Sequence, residues 1–220
     1  MRVVAVVAHP DDEVLGVGGT LARHASDGAD VTVLVVADGA SSRYPDAMLR
    51  TLQIAGQQAA HRLGIREIRF AGLSDQRLDA LPLIDITQKV EALLDEVAPD
   101  IVYTHFPGDV NLDHVAVARA TWTACRPYQR PGLKEILAFE TPSSTEWGWP
   151  SLGDRFSPNV FVDVTETMDM KIAAMTCYDS ELRLAPHPRG LDALRARAQY
   201  WGSVVGFIAA EPFMLLRSTR

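Results

Sequence analysis

Cysteine is scarce: Cys125 and Cys177 are the only two among 220 residues. They form no CxxC pair and are too few for a disulfide framework, so a reducing compartment is the expectation. No apolar run approaches the ~20 residues of a membrane span. The apolar start, Val3 to Ala8, runs straight into His9-Pro10-Asp11-Asp12-Glu13 and lacks the longer core and small-residue cleavage site of a secretory leader. A cytoplasmic protein is expected. Positive charge is also short: the formal net charge is -7, and without a basic patch nucleic acid is not the expected partner. The phosphate-cradling GxGxxG spacing is missing, because Gly16-Val17-Gly18-Gly19-Thr20-Leu21 has no glycine at its last position. That argues against a hydride-transfer enzyme and against a nucleotide-binding module without catalysis. No repeat, low-complexity tract or clear linker is present, and the length suits one core, so residues 1–220 are expected to form a single domain.

What is present alternates. Val3 to Ala8, Val31 to Ala37, Glu67 to Phe70 and Asp100 to Thr104 read as short strands, the first two apolar enough to be buried on both faces. Between and after them, Val14 to Ser26, Asp46 to Leu63, Leu83 to Val97 and Asp113 to Cys125 read as helices, with Gly28 and Gly64 just past the first two. Strand and helix in alternation predict an α/β, Rossmann-like three-layer fold with a mostly parallel sheet. After Cys125 the pattern loosens among prolines. Strands are expected at Glu135 to Glu140 and Val160 to Val164, and helices at Met168 to Leu184 and Leu191 to Val205, an elaborated C-terminal half.

Ligands in such folds gather at the carboxyl ends of the strands. His9-Pro10-Asp11-Asp12-Glu13 stands at the end of the first strand and crowds one imidazole with three carboxylates. Such crowding is repulsive unless a cation or strong donors offset it. The plainer alternative is an acidic loop in which Asp11 or Asp12 caps the next helix. Gly16, Gly18 and Gly19 follow at once and suggest close backbone approach. The fourth strand ends in a polar run from Tyr103 to His114 that opens a helix. One histidine and one carboxylate from the first loop, with a second histidine from this one, make a ligand set that leaves a position open for water. This is the pattern of catalytic zinc, which lowers the pKa of water toward ~7.

Ala8-His9-Pro10-Asp11-Asp12-Glu13 resembles the AHPDDE motif of the PIG-L/LmbE-like zinc deacetylases, and Asn111-Leu112-Asp113-His114 resembles their second motif, which ends in Asp-His. The resemblance extends over most of the chain, including Asp38-Gly39 and Gly72 to Leu78. It implies removal of an N-acetyl group from an amino sugar or its conjugate, a small-molecule substrate. The same machinery acting on another amide, such as a thiol conjugate, is the alternative. The resemblance makes His9, Asp12 and His114 the metal ligands and Asp11 the general base. Glu13 and Asp113 then support the site without binding the metal. The ion is Zn2+, with Fe2+ as the alternative for two histidines and a carboxylate. Relatives are often trimers or hexamers, so a homo-oligomer is implied.

The sequence also departs from that pattern. Many members carry a histidine where Asn111 stands, thought to steady the oxyanion. Asn111 can donate a hydrogen bond but carries no charge, and it is read here as substrate-binding. Relatives with the Asn-x-Asp-His form also have a later Pro-His-Pro-Arg segment, present as Pro186-His187-Pro188-Arg189. Either His187 reaches the site as a catalytic residue and replaces the missing imidazole, or the segment is a surface turn. Arg43, in the loop after the second strand, is expected to hold substrate, against the plainer reading of a solvated arginine. Trp147 and Trp149 are either core or an aromatic wall for a sugar ring, with Glu140 to Trp149 as a substrate lid. His24 and His61 read as plain helix residues, and His105 has no motif support.

Overall fold

The computed structural model describes residues 1–42, 46–148 and 155–219. The strands are β1 (Arg2–Val7), β2 (Asp30–Ala37), β3 (Glu67–Leu73), β4 (Ile101–His105), β5 (Glu135–Phe139), β6 (Val160–Asp163) and β7 (Ala210–Ser218). The helices are α1 (Asp12–Ser26), α2 (Asp46–Arg62), α3 (Leu83–Val97), α4 (Leu112–Ala124), α5 (Met168–Met175) and α6 (Leu191–Val205). All strands join one sheet in the order β3-β2-β1-β4-β5-β7-β6. β1 to β5 run parallel, and β7 is antiparallel to both β5 and β6.

The period of two along β1 divides the core. Val3, Ala5 and Val7 pack on one face with α1, α2, α5 and α6 residues such as Leu21, Leu52, Met175 and Leu194. Val4, Val6 and Ala8 pack on the other with Ile86, Val90 and Leu94 of α3 and Val117 of α4. Both faces of the central strands are covered, which is why their sequences are continuous apolar runs rather than alternating ones. This is the expected three-layer α/β fold.

Two elements differ from the sequence reading. The helix expected over Met168 to Leu184 ends at Met175, and the chain turns so that Tyr178 is buried against α1, its hydroxyl donating to Glu13 Oε1 at 2.5 Å. The strand β7 was not expected, because Glu211 and Pro212 interrupt its apolar run. Glu211 is nevertheless buried, its carboxylate accepting the Gly19 and Thr20 N–H groups at 2.9 and 2.7 Å and the Lys171 ammonium at 2.6 Å. No described helix is long and apolar enough to cross a membrane.

β1 lies between β2 and β4, so the connections from these central strands leave in opposite directions. A crevice opens outside their carboxyl ends at such a switch point, and the two motif loops meet there.

Candidate metal centre

The chain leaves β1 through His9 and Pro10 and enters α1 at Asp11, whose φ of 106° is left-handed. That conformation is costly for a non-glycine residue. It is held by the Asp11 N–H donating to Glu13 Oε2 at 3.1 Å and by the Asp11 carbonyl accepting Val14 and Leu15. Glu13 is fully buried beneath the loop and so supports Asp11 from behind. The Asp12 carboxylate accepts the His9 N–H at 2.8 Å and stands 3.3 Å from His9 Nδ1 and 3.4 Å from His114 Nε2. His9, Asp12 and His114 each bring a ligand atom within 4.8 Å of the others.

Each imidazole is aimed by a carboxylate behind it. His9 Nε2 lies 3.0 Å from Asp113 Oδ2, and His114 Nδ1 lies 3.3 Å from Asp109 Oδ2. Asp113 is itself fixed, accepting Gln76 N–H at 2.7 Å and Leu78 N–H at 3.0 Å. Asp109 accepts Thr145 Oγ1 at 2.6 Å, Asn111 N–H at 2.8 Å and the Ser144 hydroxyl. Carboxylate–histidine pairs of this kind set the tautomer and ring orientation of metal-ligating histidines. His9, Asp75 and Asp113 form a second group of potential ligand atoms, but Asp113 Oδ2 is already committed to the His9 ring and the Gln76 amide.

The charge balance fits a cation. Burial alone would lower the pKa of His9, but hydrogen bonds to Asp113 and Asp12 push it up to about 10. Burial opposes protonation of His114 as well, yet the Asp12 charge and the Asp109 hydrogen bond push it up to about 9. Two rings that hold protons so firmly are surrounded by more negative charge than they neutralise. Two imidazoles and one carboxylate are a donor set that zinc accepts, so the residues present fit a divalent ion.

His105, unassigned by motif, is fully buried and stacks on His114 with ring centroids 4.0 Å apart. Its Nε2 accepts the Ala8 N–H at 2.9 Å, and Nδ1 donates to Thr141 Oγ1 at 3.1 Å. Burial, then the His114 charge, lowers its pKa to about 4. It is a neutral ring that ties β1 to β4 and backs the His114 ring.

His9, Asp12 and His114 line a cavity of about 400 Å³, with Asp11, Asn111 and Trp147 also on its wall. Asn111 caps α4, its Oδ1 accepting the Asp113 N–H at 2.9 Å, which leaves the Nδ2 amide to offer a ligand. Thr141, Pro142 and Ser143 form the side where a substrate lid was expected, and Glu140 below them is clamped by Arg197 at 2.7 Å and Trp201 Nε1 at 2.7 Å. Arg43 and Trp149 lie outside the described residues.

In the sequence, His187 reads either as a site residue or as part of a surface turn. It does not line this cavity but a separate surface depression with Leu184 and Pro186, its ring edge-on to Trp147 at 6.1 Å. The residue of that segment that turns inward is Arg189, whose Nη1 reaches Asp11 Oδ2 at 3.1 Å. The His187 Nδ1 accepts the Arg189 N–H at 3.1 Å, and this local turn sends the fourth residue of the segment, not the second, to the site. His24, read as a plain helix residue, does lie in α1, and its Nε2 stands 2.9 Å from the Tyr103 hydroxyl. Sequence reasoning missed Asp75, Gln76 and Asp109, which act through loops that meet only in space.

Comparison with known proteins finds relatives in sequence and in fold. The family model for GlcNAc-PI de-N-acetylase (PIG-L) matches residues 4–125. An uncharacterized deacetylase of Escherichia coli, YaiS, is 32% identical over 184 residues, covering 81% of this chain and 90% of its own. A 1D-myo-inositol 2-acetamido-2-deoxy-alpha-D-glucopyranoside deacetylase of a Mycobacterium species is 28% identical, covering 84% and 76%. Among solved structures, a conserved protein of Thermus thermophilus superposes with a TM-score of 0.81 at 24% identity, over 99% of this chain and 96% of the other.

Proposed function

Because this chain belongs to the GlcNAc-PI de-N-acetylase (PIG-L) family, we propose that it is a zinc-dependent N-deacetylase of an amino sugar or amino-sugar conjugate. One domain of residues 1–220 carries the activity in this reading. The observation that carries it is the meeting of His9, Asp12 and His114 within 4.8 Å on the wall of one cavity, with the Asp11 carboxylate beside them. Relatives named for the removal of acetyl groups from 2-acetamido sugars support the substrate class.

In the reaction proposed, His9, Asp12 and His114 hold the ion, Zn2+ in preference to Fe2+. Such an ion makes water a nucleophile near neutral pH and polarises the acyl carbonyl. Asp113 and Asp109 keep the two imidazoles aimed. Asp11 accepts a proton from the attacking water as its oxygen bonds to the acyl carbon. The carbon–nitrogen bond then breaks, and Asp11 returns the proton to the leaving nitrogen. Amide and water become acetate and a free amine. Asn111 and Trp147 serve as substrate contacts, Trp147 offering a flat face to a sugar ring. Arg43 is retained as a substrate contact from the loop after β2.

Amine release from a panel of N-acetylated sugars and sugar conjugates tests this. A primary amine appearing with at least one 2-acetamido sugar supports the reading. Release from thiol conjugates or simple amides, with none from sugars, transfers it to another amidase.

A further inference from the structure

Arg189 enters the cavity from the segment between α5 and α6 and is the only cation in contact with Asp11 among the described residues. Its guanidinium is held on two sides. Nε donates to Ser143 Oγ at 2.8 Å, and Nη1 donates to Asp11 Oδ2 and Glu181 Oε2, each at 3.1 Å. Nη2 has no hydrogen-bond partner among the described residues, although the side chain lies on the cavity wall and is 28% exposed. The group is therefore a fixed fork with one prong left over.

Asp11 shows the matching pattern. Its Oδ2 is taken by Arg189 and its N–H by Glu13, so Oδ1 is the oxygen left for a water. A water on Oδ1 must come within ~3–3.5 Å of the acyl carbon to react. The guanidinium pairs with the other oxygen of the same carboxylate and lines the same cavity.

We propose that Arg189 is a catalytic residue whose Nη2 donates to the acyl oxygen as that oxygen becomes negative during attack on the amide. The proposal rests on the deacetylase reading and adds a residue to it. Its charge logic is differential. In the resting site the Arg189 cation faces two carboxylates, Asp11 and Glu181. As the carbon–oxygen bond forms, the acyl oxygen becomes negative opposite a cation already fixed in place by Ser143 and Glu181. An interaction gained only as the transition state forms raises kcat rather than tightening substrate binding. A lysine cannot copy this, because its ammonium is a point charge and cannot reach Ser143, Asp11 and a third oxygen in one plane.

The test uses the metal-loaded protein as isolated, with Arg189→Lys and Arg189→Ala. On a sugar substrate found in the amine-release panel, both variants are expected to lose kcat on the order of 10²–10³-fold, the size seen when one oxyanion donor is removed. KM and metal content stay close to wild type, and added guanidinium ion restores part of the Arg189→Ala turnover. A purely structural clamp would not produce that split or that rescue. A second arm needs no turnover: broadening of the 13C-acetate NMR line, expected with wild type and lost with Arg189→Ala. Should Arg189→Ala fail to fold, Arg189→Lys carries both readouts. Wild-type kcat in a folded variant, or acetate broadening unchanged by either substitution, overturns the proposal. If no sugar is turned over but acetate broadening depends on Arg189, the deacetylase reading falls while the anion-holding role of Arg189 stands.

Discussion

Asp113 Oδ2 lies 3.0 Å from His9 Nε2 and accepts the Gln76 N–H at 2.7 Å, so one carboxylate oxygen joins α4, the loop after β3 and the histidine at the end of β1. Three segments far apart in sequence are locked around the ring that is proposed to bind metal.

Asp113→Asn is therefore expected to weaken metal binding about 10–100-fold, as loss of such supporting carboxylates does. An asparagine keeps one acceptor oxygen, enough for the Leu78 or the Gln76 N–H but not both, so a thermal melt checks that the variant is folded. Competition with a chromogenic chelator measures the affinity. Wild-type affinity in the folded variant would refute the aiming role of Asp113.

Proton release is the second expectation. With His9 and His114 pushed up to about 10 and about 9 in the absence of metal, both rings carry protons at neutral pH. Metal ligands must be deprotonated, so binding should release about two protons, and affinity should rise with pH up to about 9–10. Raised histidine pKa values stabilise the metal-free fold below the unfolded value of about 6.5, and that contribution is lost as pH rises through about 9 to 10. Calorimetric metal titrations in buffers of different ionisation enthalpy count the protons. Binding without proton uptake by the buffer would contradict the charge balance described.

Two of the three glycines in α1, Gly16 and Gly18, separate sharply. A Cβ on Gly16 would lie 2.7 Å from Phe139 Cε2 and 3.1 Å from the Glu140 carbonyl, whereas one on Gly18 meets nothing closer than 3.5 Å. Gly16→Ala should destabilise by about 1–3 kcal/mol through overpacking against β5. Gly18→Ala should be neutral or stabilise by up to about 1 kcal/mol, since alanine is the better helix former. Denaturant melts of the two variants check the order. Equal effects would mean that α1 is not pressed against Phe139 as described.

Much of this was legible in the chain itself. The ends of β1 and β4 were readable because strands buried on both faces must be apolar, and the polar residues that break those runs, His9 to Glu13 and His105 to His114, stand at the crevice for that same reason. The C-terminal strand was not readable. Glu211 and Pro212 look foreign to a buried strand, and only the Lys171 ammonium and the Gly19 and Thr20 amides make the glutamate tolerable there. α5 looked longer than it is because Tyr178 and Leu182 continue an apolar period after the helix has ended. Asp75 lies in the Gly72 to Leu78 segment that shares the resemblance, but the sequence assigns no role to it or to Asp109. Of the Pro186–Arg189 segment it is Arg189 rather than His187 that lines the cavity, since which residue of a turn faces inward depends on contacts such as the Arg189 N–H to His187 Nδ1.

The central claim is metal-dependent hydrolysis of an N-acetyl group with Asp11 as the base. It is tested most directly by acetate release, followed by proton NMR on an N-acetylated sugar substrate, with wild type, chelator-stripped wild type and Asp11→Asn side by side. The account predicts release by wild type, loss on stripping and return with added Zn2+. It also predicts that Asp11→Asn keeps its metal but loses on the order of 10²–10⁴-fold in turnover. Undiminished release after the metal is removed, or wild-type turnover by metal-loaded Asp11→Asn, would contradict it.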